Sequence, residues 1–208
     1  MIAITDYGAG NLHSIRQALV RQGLDARVTA DPGALDEAAA VVVPGDGAFG
    51  PAIERLEALG WAERIRAFVG SGRPLLGICL GMQLLFDESE EDGVYRGLGV
   101  LRGRVVRLPD RVKVPHMGWN QLRVLRPSPL LNGVASGAYV YFVHSYYAEP
   151  DDPEVIAATT TYGGELAAVV GRGNVWATQF HPEKSGTVGV RMIESFARWA
   201  VGAGTPRG

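Results

Sequence analysis

Short apolar runs alternate with amphipathic stretches along the first part of the chain. Residues 2–5 are strand-like. Asn11 is suited to start a helix in which Leu12, Ile15, Leu19 and Val20 share one face, and Gly23 ends it. Residues 26–30 and 41–43 read as the next two strands, separated by the turn Asp31-Pro32-Gly33. Ile53, Leu56 and Leu59 mark a helix, residues 61–69 predict another, and residues 74–78 form an apolar run that ends at a glycine-rich turn. This rhythm fits a parallel sheet covered by helices on both faces. From residue 98 onward the texture changes to short β-branched runs at 100–106, 112–114, 122–125, 139–143, 155–161, 166–170 and 175–178. These predict antiparallel strands that extend or flank the parallel core. A last helix over residues 188–201 places Met192, Phe196 and Trp199 near one face. With no repeat and no low-complexity linker, residues 1–201 are expected to be one domain and residues 202–208 a frayed tail.

Composition narrows the class. About 200 residues can bury most of their apolar surface in one core, and a hydrophobic content of 47% with four tryptophans describes a globular protein. No apolar run approaches the roughly 18 residues that suggest a membrane span. The start, Met1 to Asp6, lacks a basic region before its apolar residues and reads as a first strand, not a signal peptide. A formal charge of −2 with scattered Lys and Arg offers no basic stripe for nucleic acid. The single cysteine cannot form an internal disulfide, and a reactive thiol is best kept in a reducing compartment, so a cytoplasmic location is expected.

That cysteine carries the strongest chemical signal. Cys79 sits in Gly77-Ile78-Cys79-Leu80-Gly81-Met82-Gln83, between the apolar run and a helix-like stretch that includes Met82, Leu84, Leu85 and Phe86. A nucleophile on a sharp strand-to-helix turn needs small neighbours, because the backbone is strained and the reacting atom must stay open to substrate. A helix N-terminus would also favour thiolate over thiol. The plain alternative is an inert core cysteine. A second motif shifts the balance: Gln179-Phe180-His181-Pro182-Glu183 follows a strand-like run and places an imidazole and a carboxylate at i and i+2, on one side of an extended segment. Cys79, His181 and Glu183 then read as nucleophile, base and orienter.

Together these motifs resemble the class I, triad-type glutamine amidotransferase family. Asp6-Tyr7-Gly8-Ala9-Gly10-Asn11-Leu12, Pro44-Gly45-Asp46-Gly47-Ala48-Phe49-Gly50, Pro115-His116-Met117-Gly118-Trp119-Asn120 and Phe142-Val143-His144-Ser145-Tyr146 are similar, within it, to the glutaminase subunits of imidazole glycerol phosphate synthases of histidine biosynthesis. The resemblance implies a flavodoxin-like three-layer α/β sandwich, release of ammonia from L-glutamine through a cysteinyl thioester, and a cyclase partner with a β/α barrel that uses the ammonia. It implies that Gln83, Glu91, Ser145 and Tyr146 hold the glutamine, and that Asn11, His116, Met117 and Trp119 face the partner. It also implies weak activity until the partner and its ligand engage.

Attack on a carboxamide generates an oxyanion, which backbone N–H donors usually stabilise. Leu80, just after the nucleophile, supplies one candidate donor, and Gly45 or Asp46 after the strand at 41–43 supplies a second. Asp46 departs from the apolar residue more common in the similar subunits, and its carboxylate is expected to point away from the sulfur. Residues 45–50 also fit G-x-G-x-x-G, but Pro44 intervenes, the segment lies outside the first βα unit, and residues 61–69, where a strand ending in an acidic ribose ligand should follow, look helical. No Cys-x-x-Cys or His-Glu-x-x-His spacing supports a metal, and no cofactor is expected. Two other readings keep the fold: a glutaminase serving anthranilate or pyridoxal phosphate synthesis, and a non-enzymatic flavodoxin-like binding module with an unreactive Cys79.

Overall fold

The computed structural model describes residues 1–203. Its elements run in the order β1 (Ile2–Thr5), α1 (Leu12–Val20), β2 (Ala26–Thr29), β3 (Ala40–Val43), α2 (Phe49–Ala58), α3 (Trp61–Gly70), β4 (Leu75–Ile78) and α4 (Leu80–Gln83). There follow β5 (Glu88–Ser89), β6 (Tyr95–Arg96), β7 (Gly103–Arg107), β8 (His116–Gln121), β9 (Arg123–Val124), β10 (Tyr139–His144) and β11 (Tyr146–Pro150). The chain closes with β12 (Ile156–Thr161), β13 (Glu165–Arg172), β14 (Val175–Thr178) and α5 (Gly186–Ala203). One eight-stranded sheet has the order β2-β1-β3-β4-β14-β13-β12-β9. Its first five strands are mutually parallel and the last three connections antiparallel. The parallel half uses right-sized βα units, and the antiparallel half uses the β-branched runs of the second half of the chain.

Because side chains alternate across a strand, each central strand feeds two cores. Ala3, Val41, Val43, Leu75 and Ala177 point to one face, where α2 and α3 contribute Phe49, Leu56, Trp61, Ile65 and Phe68. Ile2, Ile4, Val42, Leu76, Ile78 and Trp176 point to the other, where α1 and α5 contribute Ile15, Leu19, Met192, Ile193 and Phe196. Each fully buried Leu, Ile or Phe among these stabilises the fold by about 1.5–3 kcal/mol relative to exposure. A four-stranded sheet, β11-β7-β5-β6, adds Val105 and Ala148 to the first core, and the β8–β10 ribbon adds Val140 and Phe142 to the second. The sandwich of helices around a mostly parallel sheet is the expected fold.

Several local expectations change. Residues 112–114 form no strand, whereas residues 116–121, outside the expected strand runs, form β8 in antiparallel register with β10. The stretch after Cys79 is helical only over the four residues of α4. The last helix is longer than expected and runs to Ala203; residues 204–208, most of the expected tail, lie outside the described residues. Among the described residues, no helix is long and apolar enough to cross a membrane.

Candidate active site

Open parallel sheets place ligands at the carboxyl ends of their strands, and four loops of this chain meet there. The loop after β1 brings Asn11, that after β3 brings Asp46 and Gly47, that after β4 brings Cys79, and that after β14 brings His181. All of them line one cavity of about 300 Å³. A larger surface hollow of about 800 Å³ between residues 124–133 and α5 is lined by no thiol, imidazole or carboxylate.

The turn at Cys79 is strained. Its φ of 55° and ψ of −112° make it one of two non-glycine residues with positive φ among those described, a state that costs on the order of 1–3 kcal/mol and persists only where surroundings enforce it. Here the Cys79 N–H donates to the Thr178 carbonyl at 2.8 Å and its carbonyl accepts from Met82 N–H at 2.9 Å. The flanking glycines serve the backbone more than the substrate. A Cβ on Gly81 would lie 1.9 Å from the Val43 carbonyl oxygen, and one on Gly77 would lie 2.9 Å from that of Gly81. Both absences let the turn close against itself and against the end of β3. The single turn of α4 gives only a small dipole at the sulfur, so the expected helix contribution is weak.

The imidazole is the stronger influence. His181 follows β14 and is fixed by its N–H, which donates to the Tyr141 carbonyl at 3.0 Å. Glu183 is brought back to it by a 3-10 turn, Pro182–Lys184, where the sequence pattern had suggested an extended segment. His181 Nδ1–H donates to Glu183 Oε1 at 2.8 Å, and the carboxylate side chain is fully buried. Its second oxygen, Oε2, has no partner among the described residues, so the ring is the group it orients. With Nδ1 engaged, Nε2 is left for the sulfur. Burial alone would lower the His181 pKa; hydrogen bonds to Cys79 and Glu183, and their charges, outweigh it and push it up to about 10. Such an imidazole is a strong acceptor for a thiol proton. Cys79 itself is 6% exposed, with Sγ 3.9 Å from the Val143 carbonyl and 3.9 Å from Gln179 Nε2.

The loop at residues 44–47 is pinned at both ends. Tyr7 Oη–H donates to the Pro44 carbonyl at 2.6 Å, and Asp46 Oδ1 accepts from Gly10 N–H at 2.9 Å. Asp46 is thus tied to the β1–α1 turn while still lining the cavity. Gly45 packs so tightly that a Cβ would lie 2.6 Å from Tyr7 Oη and 3.0 Å from Gly81 N. Leu80 opens α4, where its N–H has no helical acceptor to reach.

Gln83, Glu91, Ser145 and Tyr146 line the same cavity. Gln83 is buried, and its Nε2 donates to the Tyr146 carbonyl at 2.8 Å and to Gln179 Oε1 at 3.0 Å, leaving Oε1 to offer a ligand. Glu91 Oε2 accepts from Phe49 N–H at 2.8 Å at the start of α2. Its carboxyl pKa is raised by partial burial, with the Asp92 charge adding and the Phe49 bond opposing. Asn11 caps α1 through Ser14 N–H, at 3.3 Å, and reaches the cavity rim. On β8 the alternation of a strand sorts the remaining residues: Met117 and Trp119 are 63% and 53% exposed, while His116 turns inward. Sequence reasoning missed His144, Gln179 and Lys184, of which His144 and Lys184 line the cavity and Gln179 touches the sulfur. Lys184 directly follows the His-Pro-Glu triplet and Gln179 stands two residues before it, a proximity that by itself assigns neither a role. Among the described residues no cluster of His, Cys, Asp and Glu could hold a metal.

Known proteins share this arrangement of chain. The family model for glutamine amidotransferase class-I matches residues 3–199. Imidazole glycerol phosphate synthase subunit HisH of Geobacillus kaustophilus (strain HTA426) is 53% identical over 210 residues, covering 98% of this chain and 99% of its own. The protein of the same name from Geobacter sulfurreducens is 50% identical over 202 residues, covering 94% and 97%. Among solved structures, a glutamine amidotransferase superposes with a TM-score of 0.77 at 24% identity over 97% of this chain and all of its own, 100%. PurLQS from Thermotoga maritima gives 0.74 at 20% identity over 95% and 97%, and both show the fold. With a family match along nearly the whole chain and relatives half identical to it end to end, the chain belongs to the glutamine amidotransferase class-I family.

Proposed function

We propose that this chain is the glutaminase subunit of an imidazole glycerol phosphate synthase, with Cys79, His181 and Glu183 as its catalytic residues. The observation that carries the reading is the convergence of a strained Cys79 and a Glu183-held His181 in one cavity of about 300 Å³, at the small end of ligand-pocket sizes. In the first step the Cys79 sulfur forms a C–S bond to the side-chain amide carbon of L-glutamine while His181 takes the thiol proton. The C–N bond then breaks, His181 returns the proton to the departing nitrogen, and ammonia leaves. Water, activated by His181, attacks the thioester carbon, the C–S bond breaks, and glutamate is released. The N–H groups of Leu80 and of Gly45 or Asp46 face the developing oxyanion, and loss of one such donor costs on the order of 10²–10³ in turnover.

Gln83 Oε1, Glu91, Ser145 and Tyr146 hold the glutamine, with Glu91 opposite its ammonium group. Ammonia in bulk water at neutral pH is mostly protonated and no longer nucleophilic. A synthase must therefore cover the exit. Exposed Met117 and Trp119, with Asn11 at the rim, give the surface for a cyclase subunit with a β/α barrel, an aromatic and methionine content that interfaces favour. The relatives named for such a synthase support this assignment. The test is glutamate release with and without a cyclase subunit. Cys79→Ala should lower it on the order of 10⁴-fold or more; a variant that keeps full activity would end the proposal.

A further inference from the structure

The reaction leaves two buried histidines unused. His116 and His144 stand opposite each other in the β8–β10 register and are 4% and 6% exposed. His116 Nδ1 lies 3.0 Å from His144 Nε2, and His144 Nδ1 lies 2.9 Å from the Tyr146 carbonyl oxygen. Asn120 Nδ2 lies 3.2 Å from His116 Nε2 and 3.1 Å from the Thr161 carbonyl oxygen. Chemistry alone places the protons. A carbonyl only accepts, so His144 Nδ1 carries the hydrogen. Its Nε2, bare in a neutral ring, must then accept from His116 Nδ1–H. That leaves His116 Nε2 bare to accept from the Asn120 amide. Every link donates in one direction, from Asn120 to the Tyr146 carbonyl.

The chain of bonds continues into the cavity. The same Tyr146 carbonyl accepts from Gln83 Nε2, which also donates to Gln179 Oε1, whose amide nitrogen faces the Cys79 sulfur. Both hydrogens of the Gln83 amide are committed by this arrangement, and only Oε1 is left over. A charged ring would break the sequence, since a charged His144 would set two donors face to face between the histidines and a charged His116 would set its Nε2–H against the Asn120 amide. Burial holds His116 at about 4, and burial with the charges of His116 and His181 holds His144 at about 4, despite the Tyr146 bond. His116 is also clamped, its ring stacked 4.7 Å from Phe142 and 3.9 Å from Tyr162.

We propose that His116 and His144 are positioning residues of the glutamine pocket: as neutral Nδ1–H tautomers they hold the Tyr146 carbonyl, and through it Gln83 and Gln179, in the orientation that presents Gln83 Oε1 to the substrate. The proposal rests on the glutaminase reading of the cavity. A purely structural pair would only need to be buried and bonded; a positioning pair must also control which way the bonds run.

Two measurements test it. On the intact protein at pH 7, long-range ¹⁵N–¹H correlation of the histidine rings should show both His116 and His144 protonated at Nδ1 alone; either ring protonated at Nε2, or at both nitrogens, overturns the proposal. The second uses His116→Phe, which keeps a ring between Phe142 and Tyr162 and removes both nitrogens, and Asn120→Asp, which keeps the shape but turns a donor into an acceptor. Each should raise the KM for glutamine and slow labelling of Cys79 by a glutamine-mimicking chloroketone about tenfold, the scale of one lost buried hydrogen bond. Labelling by iodoacetamide, which does not read the pocket, should stay within about twofold. Unchanged chloroketone labelling, or equal slowing with both reagents, overturns the positioning role, and Asn120→Asp decides it if His116→Phe does not fold. A wild-type Cys79 that the chloroketone ignores would instead count against the glutaminase reading, and the ring protonation would still decide the direction of the bonds.

Discussion

Gly81 and Gly47 look alike in the sequence and have different reasons to be glycine. Gly81 has no room, because a Cβ would lie 1.9 Å from the Val43 carbonyl oxygen, and neither the elbow nor the end of β3 can give way without losing sheet hydrogen bonds. Gly47 has nothing within 4 Å of its virtual Cβ, and only its φ of +85° disfavours a side chain. Gly81→Ala is therefore expected to destabilise the fold by more than about 3 kcal/mol, the upper end of overpacking costs, and Gly47→Ala by about 1 kcal/mol of backbone strain. Urea unfolding of the two variants reads this directly, and equal midpoints would show the elbow to be softer than its contacts imply. The contrast marks what was legible at this scale. Cys79, His181 and Glu183 could be picked out because reactive residue types in short motifs are rare. His144 and Gln179 could not, since their role depends on partners 28 and 96–100 positions away in the chain.

Elements were legible where pattern and pairing agree. The parallel strands and their helices follow from apolar period alone, and α1 begins at Asn11 as its capping chemistry dictates. The misread elements are those whose state is set by a distant partner. Val112 and Val114 are β-branched but pair with no neighbouring strand, while Pro115, Gly118 and Asn120 disguise a strand that β10 enforces. Glu91 shows the same dependence. Helix α2 has Ala48 at its N-cap and no local side-chain cap, and Glu91, 42 residues onward, accepts from Phe49 N–H in its place. Glu91→Ala should cost about 1 kcal/mol of stability as a lost cap. Glu91→Gln retains an acceptor oxygen and should stay within about 0.5 kcal/mol of the wild type on the same scale of cap energies. Under the proposed binding of the glutamine ammonium, both should raise KM, the charge being absent in each. A glutamine variant that binds substrate normally would assign Glu91 to the helix alone.

At the scale of the whole molecule, the histidines of the site pull stability in opposite directions with pH. His116 and His144 have folded pKa values of about 4 against an ordinary value of 6.5, so the unfolded chain takes up protons first as the solution is acidified. Stability from their neutral forms is present above 6.5 and lost as pH falls toward 4. His181 has the opposite sign. Its folded value of about 10 means that its contribution is full below 6.5 and is lost as pH rises toward 10. Asp152, held low by the Glu154 N–H and the Arg172 guanidinium, and Glu165, held low by Arg123 and Thr159, add an acid loss only below their ordinary values of 3.8 and 4.5. Between 4.5 and 6.5 the two histidines act against Glu91, whose carboxyl, raised by burial, keeps its proton longer in the folded state and so lowers stability as pH rises. With two groups against one, the urea midpoint should be greatest near 6.5 and decline on both sides. The acid slope belongs to a coupled pair, so it should lie between one and two protons, and His116→Phe should flatten it while leaving the alkaline side intact. A midpoint that is level across that acid interval in the wild type would mean that the two rings are already solvated enough to carry charge, and that the bonds from Asn120 to Tyr146 do not hold them neutral.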